Sequence, residues 1–354
     1  MISYDVTEWG KPLQKAIREL PQPSGTEVLV QVKYCGVCHS DVHIRDGYYE
    51  LGEGKRFQME ERGVSLPLVM GHEPLGTVVA AGPDAKDVPM GEDRLVYPWI
   101  GCGKCSRCLA GQDNWCPTPQ FLGVLKPGGY AQYTMAAHPK YLVDVSGIDP
   151  SFAPVLACSG LTTYSAASKL MPCDPKDWIV IMGAGGLGLM AISVLRAMGH
   201  EHIAVCEIDE SKWEAAMAMG AQVVVQPKAD DALSTLQGLD GGVFGVLDFV
   251  GAAPTAELGI AALRKGGRYV IVGLFGGQIA MPLVPIAQRA ITIQGSYVGN
   301  LAELQAVVAL AKQGKLKPIP TRLCALSDVS GVLDQLKEGT VLGRVVAKVD
   351  ATEG

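Results

Sequence analysis

The sequence predicts an α/β protein in two parts, a mostly β first half and a doubly wound parallel sheet of six strands. Three observations predict it. Apolar and polar residues alternate in short runs through the first part, apolar strand runs then alternate with helical segments, and one of those runs ends in a glycine-rich turn. A length of 354 residues suits two domains, and a composition 48% hydrophobic and 19% charged suits globular rather than disordered chain.

From Glu27 to Lys33, Val28, Val30 and Val32 alternate with Gln31 and Lys33, the period of a half-buried strand. Similar runs recur around Val78, Leu95 and Tyr133, punctuated by glycine and proline. After Pro154 strands are expected over residues 179–182, 203–206, 223–225, 246–250, 269–272 and 291–293, with helices between them. Such alternation builds right-handed crossovers and a parallel sheet covered on both faces. A helix over 301–312 and a strand over 345–349 are too little for a third domain and should rejoin the first. The expected partition is therefore 1–153 with 297–354, and 154–296, with a cleft between them.

The opening MISYDVTEWGKPLQK carries charges where a secretion signal needs an apolar stretch, so a cytoplasmic, reducing setting is expected. Ten cysteines then read as metal ligands or buried small residues. A net charge of −6 without a long basic run argues against a nucleic-acid partner. Residues 178–195 are uncharged and long enough to span a membrane, but their glycines fall where a strand would hand over to a helix and Arg196 follows at once. No membrane association is expected.

That handover contains Gly183, Gly185 and Gly188, a G-x-G-x-x-G turn between the strand WIVIM and a helix. The first glycine permits the turn, the second lets backbone approach a pyrophosphate, and the third packs helix on strand, as in the Rossmann dinucleotide fold. Glu207 closes the next strand, where a carboxylate accepts hydrogen bonds from ribose hydroxyls. Its charge repels a 2′-phosphate, by roughly 4 kcal/mol per charge pair at about 4 Å and an effective dielectric of about 20, so NAD is expected over NADP.

Cys102, Cys105, Cys108 and Cys116 form C-x2-C-x2-C-x7-C. Four ligands in one loop close a structural zinc site and leave no open position for a substrate. Candidates for an open site lie in CGVCHSDVH (35–43), GHEPLG (71–76) and ACSGLTTYSA (157–166).

These segments, the four-cysteine loop and the glycine turn resemble, in order and over essentially the whole chain, the zinc-dependent medium-chain alcohol dehydrogenases. GSYVGNLAELQ (295–305) resembles bacterial members. The resemblance implies a GroES-like catalytic domain beside the Rossmann domain, NAD as cofactor and two zinc ions per chain. It makes Cys38, His72 and Cys158 ligands of a catalytic zinc, Glu73 a carboxylate that can approach the metal, and Asp41 the partner that orients His72. Ser40 and His43 match the proton relay, which in the family passes through the cofactor ribose. His39 and Arg344 match pyrophosphate contacts. Gly186, Leu187 and Lys212 are carried over to the cofactor site, and Tyr49 and Trp99 to the substrate pocket. The substrate class implied is a small-molecule alcohol, or an aldehyde or ketone in reverse, and the assembly a homotetramer, otherwise a homodimer.

Two rival readings stay open from sequence. One is a dehydrogenase of the same fold acting on a polyol, a bulky cyclic alcohol or a formaldehyde adduct. The other is a zinc-stabilised nucleotide-binding protein without turnover, against which the complete set of Cys38, Ser40, His72 and Cys158 argues. The 33 residues between Cys38 and His72 exceed the family expectation, the excess falling in the charged segment 48–67. It is expected at the substrate entrance, in a subunit contact or simply in solvent.

Overall fold

The computed structural model describes residues 1–350. Two sheets organise them. The first has seven strands, six of them running in space as Leu142–Val143, Asp93–Val96, Pro74–Ala81, Val28–Val37, Arg344–Lys348 and Thr321–Ala325, with Tyr133–Ala136 also paired to Val28–Val37. The alternation at Val28, Val30 and Val32 continues to Val37, making a ten-residue strand at the centre of this sheet. Its partners decide what meets at its end. Cys35 pairs with Pro74 and Val37 with Val345, so Cys38, Glu73 and Arg344 emerge side by side from three neighbouring strands.

The second sheet is parallel and six-stranded. Taking Trp178–Met182, Ile203–Cys206, Val223–Val225, Val243–Asp248, Leu263–Ile271 and Thr292–Gly295 in chain order, their order in space is third, second, first, fourth, fifth, sixth. Residues 178–195 are thus a strand followed by the helix Gly186–Ala197, and no helix among the described residues is long and apolar enough to cross a membrane.

Two expectations shift. The strand expected over 246–250 is Val243–Asp248, because the Asp248 carboxylate accepts hydrogen bonds from the N–H groups of Val250 and Gly251, both at 2.8 Å, and turns the chain there. The strand expected over 269–272 begins earlier, at Leu263, through an irregular register against Val243 and Gly245. The helix Leu301–Lys312 falls where expected because Asn300 and Glu303 close a reciprocal capping box, at 2.8 and 2.9 Å. The final strand, Arg344–Lys348, joins the first sheet. The segment 48–67 is not plain loop. It forms the hairpin Tyr48–Gly52 with Lys55–Gln58, then the 3-10 turn Glu60–Arg62.

Candidate functional site

A cleft of about 400 Å³ lies between the two sheets and is lined by both. On one side Cys38 N-caps the helix His39–Asp46. This places Ser40 and His43 one turn apart on the face that looks into the cleft. Asp41 points the other way and is fully buried. Its Oδ2 accepts from the Cys38 N–H at 3.0 Å and from the Tyr130 hydroxyl at 2.7 Å, leaving Oδ1 for His72 Nδ1 at 3.0 Å. A carboxylate so anchored fixes the imidazole and directs Nε2 forward.

What Nε2 faces decides the chemistry. It is buried without a hydrogen-bond partner, and it meets Cys38 Sγ, Cys158 Sγ and a Glu73 oxygen in one group of buried donors within 4.8 Å of one another. The two sulfurs stand 3.8 Å apart and the nearer Glu73 oxygen 4.0 Å from Nε2. A buried imidazole nitrogen is costly to leave unsatisfied. Two thiols, an imidazole and a carboxylate around it form the donor set of an open zinc site, and the residues fit that metal.

Glu73 sits behind the cleft wall. Its Oε1 pairs with Arg344, its Oε2 has no partner, and burial raises it to about 7 despite the arginine. Arg344 was expected at the cofactor pyrophosphate. Its guanidinium pairs with Glu73, while its aliphatic stem lies where any side chain at Gly186 would stand, 2.5 Å from the position of a Cβ. The residue therefore links the glycine turn to the carboxylate behind the metal cluster. Burial lowers His43, with the neighbouring His39 adding to the effect, to about 4, so its ring is uncharged at neutral pH. His39 is lowered as well, chiefly by burial.

Across the cleft the glycine turn has the form a dinucleotide needs. Gly183 has φ +91°, and a Cβ on Gly188 would stand 1.8 Å from the Gly183 carbonyl oxygen, so neither tolerates a side chain. A Cβ on Gly185 would meet nothing within 4 Å, the open space that a pyrophosphate requires at the helix N-terminus. The buried Glu207 accepts from Ala184 N–H at 2.6 Å and Asp209 N–H at 2.8 Å, which ties the next strand to the turn. Leu187 lines the cleft, and Lys212 lines it too while pairing with Asp209 at 3.4 Å and donating to the Gly339 carbonyl at 2.9 Å.

The four-cysteine loop lies outside the cleft. Its sulfurs lie within 4.8 Å of one another, Cys105 Sγ being 3.5 Å from that of Cys108 and 3.8 Å from that of Cys116. The Cys102 N–H donates to Cys116 Sγ at 3.2 Å, and N–H groups of Lys104 and Cys105 aimed at Cys102 lower its thiol to about 6. Backbone donors gathered on sulfurs stabilise thiolates, and the loop fits a closed zinc site.

Comparison with known proteins agrees with this geometry. Residues 24–147 match the alcohol dehydrogenase GroES-like domain and residues 186–313 the zinc-binding dehydrogenase family. An NAD-dependent alcohol dehydrogenase of Saccharolobus solfataricus is 35% identical over 98% of this chain and 99% of its own. The chain belongs to the zinc-dependent medium-chain alcohol dehydrogenase family. Among solved structures, the alcohol dehydrogenase of Aeropyrum pernix superposes with a TM-score of 0.88 at 29% identity, covering 98% of this chain and 100% of that one. A cobalt- and zinc-bound thermostable alcohol dehydrogenase of Pyrobaculum aerophilum gives 0.84 at 28% identity, covering 98% and 99%.

This alcohol dehydrogenase chain brings together in one cleft Cys38, His39, Ser40, His43, Tyr49, His72, Trp99, Cys158, the glycine turn, Glu207, Lys212 and Arg344. Trp99 packs its ring 5.2 Å from that of His72 and is held by a hydrogen bond to the Ala157 carbonyl at 3.2 Å. Sequence reading missed Arg62 and Tyr297, which line the same cleft. Both stood inside stretches already singled out, 48–67 and 295–305, but no spacing rule marks either residue.

Proposed function

We propose that this enzyme oxidises an alcohol with NAD, and reduces the matching carbonyl in reverse, at a site made of Cys38, His72 and Cys158. The unpartnered, buried Nε2 of His72 among two thiols carries the reading. The same reading keeps the domain limits expected from sequence, 1–153 with 297–354, and 154–296, positions 351–354 lying outside the described residues. When bound there, zinc supplies a Lewis acid that draws charge from the alcohol oxygen, and NAD supplies the hydride acceptor. The chain's own residues do the rest. Asp41 keeps the His72 ring oriented. Ser40 accepts the alcohol proton as its hydroxyl gives up its own, and uncharged His43, one turn along the same helix face, takes up the released proton and delivers it to solvent. The glycine turn and the helix beginning at Gly186 hold the pyrophosphate, with His39 and Arg344 beside it. Trp99 and Tyr49 supply apolar surface for the substrate. Cys102, Cys105, Cys108 and Cys116 hold a second zinc that staples their loop. The test is NAD reduction, followed by absorbance, across a panel of primary, secondary, polyol and cyclic alcohols with zinc-loaded enzyme. No turnover with any member would refute it.

Glu207 sets the cofactor preference. Its buried carboxylate is pinned at the end of its strand by two N–H groups and cannot swing away from a 2′-phosphate. NAD is expected to exceed NADP in kcat/KM by about 100-fold or more, with Glu207→Gln narrowing the gap. Equal use of both cofactors by the wild type would count against the charge argument.

A homotetramer, otherwise a homodimer, is expected. The edge strand Thr292–Gly295 is exposed along its length, and exposed Leu283, Val284 and Ile293 lie on it or on the helix before it, an unpaired apolar edge of the kind proteins cover. Light scattering should give a multiple of 37.4 kDa, and the mass of one chain would overturn this. Ten cysteines without a disulfide suit the cytoplasm.

A further inference from the structure

The cleft contains a cation that the steps above leave unused. Arg62 ends the 3-10 turn Glu60–Arg62 and lines the cleft, half-buried. Its Nη1 donates to the Tyr49 hydroxyl at 3.0 Å and its Nη2 to the Tyr297 hydroxyl at 3.2 Å, with the guanidinium carbon 5.5 Å from the centre of the Tyr49 ring. Both partners are hydroxyl groups. The neighbouring carboxylates are committed elsewhere, Glu60 to the Trp9 indole and Glu61 to the Gln58 N–H at 3.1 Å. Among the described residues no carboxylate pairs with Arg62. A guanidinium has five N–H donors in a planar fork, so two bonds to tyrosines leave capacity for an acceptor. A half-buried cation without a counter-charge, in a wall otherwise aromatic, favours an incoming anion.

Its position relative to the reacting centre is defined by side chains in contact. His72 and Trp99 rings lie 5.2 Å apart, Trp99 and Tyr297 rings 6.3 Å apart, and the Tyr297 hydroxyl touches Arg62. Arg62 therefore stands at the far end of an aromatic wall that begins at the proposed metal ligands. The hairpin preceding it is anchored to the other side of the cleft. Gln278 donates to the Glu53 carboxylate, and Gly276 packs against the Glu50 carbonyl too closely for any side chain. The inserted segment thus carries Arg62 on an element braced against both halves of the molecule.

We propose that Arg62 binds a carboxylate at the end of the substrate remote from its hydroxyl, so that the preferred alcohol is an aromatic hydroxy acid rather than a neutral alcohol. The inference rests on the dehydrogenase reading above and names its substrate class. The aromatic wall would hold the ring, and the guanidinium fork would take both carboxylate oxygens.

The test compares 4-(hydroxymethyl)benzoate with 4-methylbenzyl alcohol, of closely matched shape, using zinc-loaded full-length enzyme and NAD. The wild type should show the higher kcat/KM for the carboxylate, expressed mainly in KM, and the preference should shrink as salt is raised. Arg62→Gln should lower the ratio of the two kcat/KM values by about 10- to 100-fold, the worth of one charge-assisted hydrogen bond. Arg62→Lys, which keeps the charge without the fork, should keep part of the preference. A purely structural role for Arg62 would lower both substrates alike and leave the ratio unchanged, and that result would overturn the inference. So would a wild type that prefers the methyl compound, while oxidation of that compound would leave the dehydrogenase reading standing. Failure with both compounds and with the whole alcohol panel would remove that reading and this inference with it.

Discussion

Cys158→Ser is expected to fold, to bind NAD as the wild type does, and to lose about three orders of magnitude or more in kcat. Cys158 sits at the junction of the 3-10 segment Ala153–Ala157 and the helix Ser159–Ser168, buried, with its sulfur 3.8 Å from that of Cys38. A serine fits the same space, so packing of the helix is preserved. Its neutral hydroxyl is a far weaker zinc ligand than a thiolate. The several kcal/mol that a Lewis acid contributes to the transition state then disappear with the metal, while the glycine turn and Glu207 on the other side of the cleft are untouched. Metal analysis should show one zinc fewer per chain, and calorimetry an unchanged NAD affinity. Wild-type turnover at full zinc content would show that the metal cluster has been misassigned.

Much of this site was legible in sequence where local spacing carries the physics. The glycine turn, the four-cysteine loop and the alternating strand at Val28 are each defined within a few residues, and the structure places all three as their patterns imply. The catalytic cluster is different in kind. Cys38 and Cys158 are 120 positions apart, and no periodicity predicts that their sulfurs meet; the family resemblance did. Glu73 and Arg344 are 271 apart, and Arg62 and Tyr297 are 235 apart. Those contacts exist because the C-terminal strand returns to pair with Val28–Val37 and because the chain passes Tyr297 as it leaves the parallel sheet. Strand ends were blurred for a simpler reason. An apolar run does not announce where a side chain such as Asp248 will capture the following N–H groups and bend the backbone away.

Cys105→Ser should do the opposite of Cys158→Ser. Below its melting temperature the variant should still turn over, but that temperature should fall by about 10 °C, on the order of several kcal/mol for a domain-sized unit. Removing one of four sulfurs leaves three thiolates without a complete metal site, and the loop loses the closure that its own short helix, Ser106–Leu109, is too small to provide. The loop is also a brace. Asp113 accepts from the Tyr141 hydroxyl at 2.7 Å, Asn114 donates to the Tyr297 carbonyl at 3.1 Å, and Gln112 accepts from the Asn300 side chain at 3.4 Å. Loosening it therefore releases the segment that presents Tyr297 to the cleft, so KM should rise on warming before kcat falls. Melting curves and turnover measured at matched zinc content separate the two metals. A Cys105→Ser variant that keeps its melting temperature and loses turnover, beside an active Cys158→Ser, would mean that the four-cysteine loop and not the buried Cys38, His72 and Cys158 cluster performs the chemistry.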